Sequence, residues 1–161
     1  MSRKSRKRKR ARRARPRRPT QASPAYQPNV RQADDILAKE GVDIRPDNWQ
    51  QLAVDWFAPE EPERAELARY IAGHEPQLGV AWARDILRLE VFLQAKEHSQ
   101  VIAHYERALS RYPRCALVEV WVADQVFRHQ GDFWRARRMY RYAVEHPVSY
   151  THLTLPTTPY V

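Results

Sequence analysis

Twelve basic side chains, Arg3, Lys4, Arg6, Lys7, Arg8, Lys9, Arg10, Arg12, Arg13, Arg15, Arg17 and Arg18, crowd the start of the chain with no acid among them. Residues of this type at this density neutralise closely spaced anions, and each phosphate they contact releases counterions without reading sequence. The segment is therefore expected to bind nucleic acid or another polyanion, with a merely solubilising extension as the bland alternative. It holds all of the net charge of +9, because the rest of the chain carries 16 basic against 19 acidic residues, a net of −3. A second basic group, Arg135, Arg137, Arg138 and Arg141, falls at helical spacing much later. That group reads first as a solvated face, or a face meeting acids on a following element, and second as a phosphate-contacting stripe.

The other reactive residues do not assemble into a catalytic pattern. No Ser, His and Asp set, Gly-rich phosphate loop or His-Glu metal motif is present, and 4 Gly leave little material for a nucleotide cradle. Asp34-Asp35 and Glu60-Glu61 are paired acids, each placed where a helix N-terminus favours negative charge. Cys115 is the lone cysteine, so no intramolecular disulfide forms, and His74, His98, His104 and His129 are not at zinc-ligand spacing. The expectation is a non-enzymatic protein with no cofactor and no metal. The basic start leads into polar residues rather than an apolar core, it has no amphipathic face, and no apolar run is long enough to span a bilayer. A cytoplasmic protein without membrane contact is the resulting default.

These groups must be positioned by helices. After Met1 the arm has no apolar residue larger than Ala11 or Ala14, so it buries too little surface to offset chain entropy and is expected to be disordered. Residues 1–33 read as arm and linker, with a folded body from about Asp34 to His146. In the first part of that body, 34–78, Asp47 is the expected N-cap of a helix, with Gln50 at the capping-box position. Trp49, Leu52, Ala53, Trp56 and Phe57 form its apolar face. Pro62 suits the first turn of a second helix, carrying Leu67, Ala68 and Ile71 and stopping at Gly73. A long helix is expected from about Gly79 to Lys96 and a partner from about Ser99 to Tyr112, broken by Pro113. A last pair is expected to set Leu117, Val120, Trp121 and Phe127 against Phe133, Ala136, Tyr140 and Ala143 across a Gly131-Asp132 turn. No run alternates long enough to argue for a strand. The fold class is all-α.

The last four helices carry an internal repeat. Phe92 and Phe127, Lys96-Glu97 and Gly131-Asp132, Val101 and Ala136, Tyr105 and Tyr140, and Ala108 and Ala143 share one offset of 35 residues. A constant period over two helix pairs implies stacked antiparallel hairpins, none able to bury its apolar face alone. The runs Tyr105 to Pro113 and Gly131 to Tyr140 resemble tetratricopeptide repeats, whose second helix carries small residues and an aromatic at set intervals. The likeness covers about Trp82 to His146, or 79–146 as two units, and departs from the family at Asp85, Val101 and Val120. The resemblance implies a solenoid fragment acting as a protein-binding scaffold, with the first helix of each hairpin lining a groove. The groove residues it implies are Glu90, Gln94, Gln125, Arg128 and His129, beside Ile86, Leu93 and Trp121, which also read as core.

The run Ala136 to Tyr140 and the run Tyr105 to Leu109 also resemble the two halves of the half-a-tetratricopeptide motif found in RNA-processing scaffolds. That likeness implies the alternative, an RNA-associated repeat protein. A third resemblance concerns the tail. Val148 to Val161, VSYTHLTLPTTPYV, has no charged residue and resembles the translation of a transposase-type sequencing adapter. Residues 147–161 are therefore expected to be an unstructured artefact, and the natural protein to continue past His146, with a functional domain beyond it as a further alternative.

Overall fold

The computed structural model describes residues 26–146, so the basic arm from Arg3 to Arg18 and the tail from Val148 to Val161 lie outside the described residues. The described chain is all-α: α1 Val30–Lys39, α2 Trp49–Phe57, α3 Glu61–His74, α4 Val80–Gln94, α5 His98–Arg107, α6 Ala116–Gln125 and α7 Phe133–Glu145. Single 3₁₀ turns, Glu75–Gln77 and Leu109–Arg111, follow α3 and α5, and α6 runs on into a π-helical turn, Val126–Gln130. Among the described residues there is no strand.

Helix α1 begins before the expected boundary near Asp34. Asn29 caps it, its side-chain oxygen accepting from the Gln32 backbone N–H at 3.2 Å. Ala33 and Leu37 are buried. Gly41, at φ 73°, takes the left-handed position at the other end, where Val42 N–H reaches Leu37 O at 3.0 Å and Gly41 N–H reaches Ala38 O at 3.1 Å. That pair of bonds is a Schellman closure. Residues 30–33 are thus the first turn of a packed helix rather than linker.

Two other local expectations are corrected. Asn48, not Asp47, stands at the N-cap of α2, and its side chain bonds backward, accepting from Arg45 N–H at 2.7 Å and donating to Asp43 O at 2.9 Å. Gln50 leaves the capping box unformed and donates to Glu75 at 2.8 Å. Helix α3 has Pro62 in its first turn but runs through Gly73 to His74. A helical glycine costs only about 1 kcal/mol, and Tyr70 and Ile71 are buried just before it.

The core centres on α4, against which α1, α2 and α5 pack, with Trp82, Ile86, Leu87, Leu89 and Phe92 almost without solvent contact. Helix α6 packs on α3, α5 and α7. Lys96 at φ 57° and Gly131 at φ 64° are both left-handed, and Glu97 and Asp132 stand at the N-caps of the helices that follow, Asp132 alone capping with its side chain. The matched pairs Val101 and Ala136, and Ala108 and Ala143, are buried. In the first helices the register slips. Phe92 is buried, whereas Phe127 is 48% exposed and Val126, one residue earlier, is fully buried. The wider π-helical turn moves residues after Val126 around the axis.

Candidate binding surfaces

The five expected groove residues fall into two groups. Glu90 and Gln94 lie one turn apart at the end of α4, Gln94 donating to Glu90 at 2.9 Å. Gln125, Arg128 and His129 lie at the end of α6 and in the π turn, where Arg128 pairs with Asp124 at 2.9 Å. Among the described residues no hydrogen bond or ion pair joins the two groups. Part of the face expected to line the groove is covered from within the chain, while Gln94, Arg128 and His129 stay exposed. Trp121 packs on Phe57, ring centroids 4.4 Å apart, Trp82 meets Trp49 and Tyr70 at 6.1 and 6.0 Å, and α3 packs on both α2 and α6. Ile86 is core.

Burial pushes the Glu90 carboxyl up to about 7, and repulsion from Glu63 of α3 adds to it, while the bond from Gln94 works the other way. Because the folded value exceeds the ordinary 4.5, the folded protein keeps a proton there that the unfolded chain has released, between about pH 4.5 and pH 7. This group thus favours folding at low pH, and the benefit is lost as pH rises through about 7. Glu90→Gln is expected to stabilise the protein at pH 8 and to leave it little changed at pH 4. Urea denaturation at both pH values measures this, and an equal effect at both would exclude the coupling.

The second group borders an open recess. His98, at the start of α5, bonds Gln125 and stacks on His129, the two rings 12° from parallel. His98 and His129, with Tyr26, Gln32, Glu97, Ser99 and Gln100, line about 590 Å³, and Gln125 stands behind His98 outside that lining. Asn29 N–H donates to Gln100 at 2.7 Å, so the entry to α1 is fastened at the rim. Among the described residues no group of three or more His, Cys, Asp or Glu side chains gathers as a metal site would require.

Sequence reasoning placed Arg137, Arg138 and Arg141 on one solvated face of α7 but missed the exposed Trp134 beside them. Trp134, Arg137, Arg138 and Arg141 fall at i, i+3, i+4 and i+7 and line a recess of about 260 Å³. Trp134 is 68% exposed, with the Arg137 guanidinium 5.7 Å from its ring centroid. Phe127 and Phe133, expected to pack inside, are instead exposed, meeting edge to face at 6.2 Å, and Phe133 meets Trp134 at 5.7 Å. The readable signal was the pair Phe133-Trp134. Two adjacent large aromatics on an amphipathic helix point about 100° apart, so both cannot face one core. Arg135 leaves this face and pairs with Glu106 of α5.

Several charged residues serve the fold. Asp34 of α1 accepts from two Arg88 nitrogens of α4, Nε and Nη2, each at 2.7 Å, so the paired acids at Asp34-Asp35 include an anchor. Glu119, 1% exposed, accepts two bonds from Arg114 at 3.0 and 2.8 Å and one from the Tyr105 hydroxyl. Burial pushes the Cys115 thiol up to about 12, which makes it a poor nucleophile. Among the described residues no helix is long and apolar enough to cross a membrane. No family model, curated protein or solved structure matches the chain.

Proposed function

We propose that the chain is a non-enzymatic scaffold of tetratricopeptide-like build that holds a protein partner on its helical body and a polyanion, nucleic acid first, on its basic arm. The observation that carries the repeat reading is the shared register of α5 and α7. Left-handed Lys96 and Gly131 precede the N-cap residues Glu97 and Asp132, and buried Val101 and Ala108 have their counterparts in buried Ala136 and Ala143. The three alanines are small enough to let a helix approach its neighbours closely, as stacked hairpins require, and Val101 is the one bulkier departure. Because α2 and α3 cover part of the inner face of α4 and α6, the protein-binding surface narrows to the recess lined by His98, Gln100 and His129, the last an expected groove residue.

The arm is tested by titrating the full chain, and a form starting at Thr20, with RNA at several salt concentrations. Binding to the full chain is expected to weaken steeply with salt, and the shortened form to lose most affinity with its helical content unchanged. The reason is arithmetic, since the chain beyond the arm carries a net −3. Each lost phosphate contact takes about 0.7 to 0.9 from the slope. If the shortened form binds as tightly with the same slope, the helical body is the main RNA site and the RNA-associated reading replaces this one.

A further inference from the structure

We propose that the outer face of α7 is a docking site for single-stranded nucleic acid, with Trp134 as its stacking platform and Arg137, Arg138 and Arg141 as its phosphate partners. It is a second site, distinct from the arm, and it rests on the scaffold reading only in sharing a polyanionic ligand with it.

Charge is the first support. From Phe133 to Val144 there is no acid, and Glu145 is the first. The chain beyond the arm is net negative, so this face reverses the local field. Its guanidinium groups are weakly committed. Arg138 has no ion pair among the described residues, and Arg141 reaches only the exposed Glu145, at 3.5 Å. Exposed pairs of that kind contribute little. Arg137 lies over the Trp134 ring, which holds a cation beside the place where a base would stack.

Aromatic exposure is the second support. Trp134, Phe133 and Phe127 form a contiguous ring cluster facing solvent, 68%, 52% and 48% exposed. A nucleic-acid strand supplies what both features need, a phosphate for each guanidinium and a π-face for each ring. Trp134 and Arg141 are about 10 Å apart along the helix axis, which suits a short run of nucleotides. Duplex hides its bases from a ring on a convex helix, so the stacking contribution selects single strands. Aromatic and arginine residues also mark protein interfaces. A protein occupant, however, would have to bring acids matched to three guanidinium groups along one helix side, whereas phosphates come evenly spaced with the bases.

The test keeps the full chain and compares it with Trp134→Ala, Trp134→Phe and the double variant Arg138→Ala with Arg141→Ala. Probes are a labelled oligouridylate and a duplex RNA of equal length, about twelve nucleotides, titrated at several salt concentrations. Trp134→Ala is expected to weaken single-strand binding about tenfold and leave duplex binding unchanged, with Trp134→Phe recovering most of the loss. The double arginine variant is expected to lower the single-strand salt slope by about 1.4. Unchanged single-strand binding by Trp134→Ala, with the fold intact by circular dichroism, overturns the proposal and assigns all binding to the arm, leaving the scaffold reading in place. A full chain that binds neither probe removes both readings of nucleic-acid contact. A wild-type dimer that Trp134→Ala converts to monomer in sedimentation also overturns it, because the face would then be covered by a second copy.

Discussion

Trp82→Ala is expected to destabilise the protein by about 4 kcal/mol, within the range for large aromatic truncations in cores. Trp82 is 2% exposed at the start of α4 and meets Trp49 of α2 edge-on and Tyr70 of α3 at a tilt. One side chain therefore joins three helices, and its removal leaves a cavity that no single rotamer change refills. Trp121→Ala removes a half-buried ring on Phe57, so its cost is expected nearer 3 kcal/mol. Arg138→Ala, on the exposed face of α7, should be nearly neutral. Small domains have about 5–15 kcal/mol in total, so the first variant sits close to unfolding at moderate temperature. Chemical denaturation of the three variants measures the order. Equal small losses for all three would mean that the aromatic contacts between α2, α3 and α4 do not hold the body together.

Local signals in this chain were readable because local chemistry decides them. The Gly131-Asp132 pair acts within a few residues of itself, so the start of α7 follows from sequence alone, whereas α5 stops at Arg107 and a 3₁₀ turn, Leu109–Arg111, fills the stretch before Pro113 that was expected as helix. Helix α1 carried equally local signs, a cap at Asn29 and a glycine at position 41. They are masked because Asn29 follows a polar, Pro-containing stretch, and the tether of α1 at Asp34, Arg88, lies 54 residues away. The covered inner face is wholly non-local. Nothing near Trp121 in the sequence points to Phe57, and nothing near Glu90 points to Glu63. The exposure of Phe127 goes with the π-helical turn at Val126–Gln130, whose extra residue per turn has no sequence rule as firm as a proline or a cap.

Glu119→Ala is expected to cost about 3 kcal/mol and to loosen α7 as well as α6. A buried carboxylate losing its place strands its partners, and removing one member of a buried pair costs about 3–5 kcal/mol. The lower end applies here because Arg114 is 43% exposed and rehydrates once released. Tyr105 is worse placed, since its half-buried hydroxyl loses its acceptor. Glu119→Gln keeps an oxygen for that hydroxyl and should cost less than half as much. The effect reaches α7 because the Arg114 guanidinium lies 3.7 Å from the Tyr142 ring centroid while its nitrogens hold Glu119. Tyr142 is thus seated by a side chain that Glu119 orients. Hydrogen exchange should show lost protection in α7 for Glu119→Ala, with little change in α1. A double cycle with Arg114→Ala should be strongly non-additive. If the losses add, or α7 keeps its protection, the joint between α5, α6 and α7 is made by apolar packing alone, and the platform at Trp134 owes nothing to the buried pair.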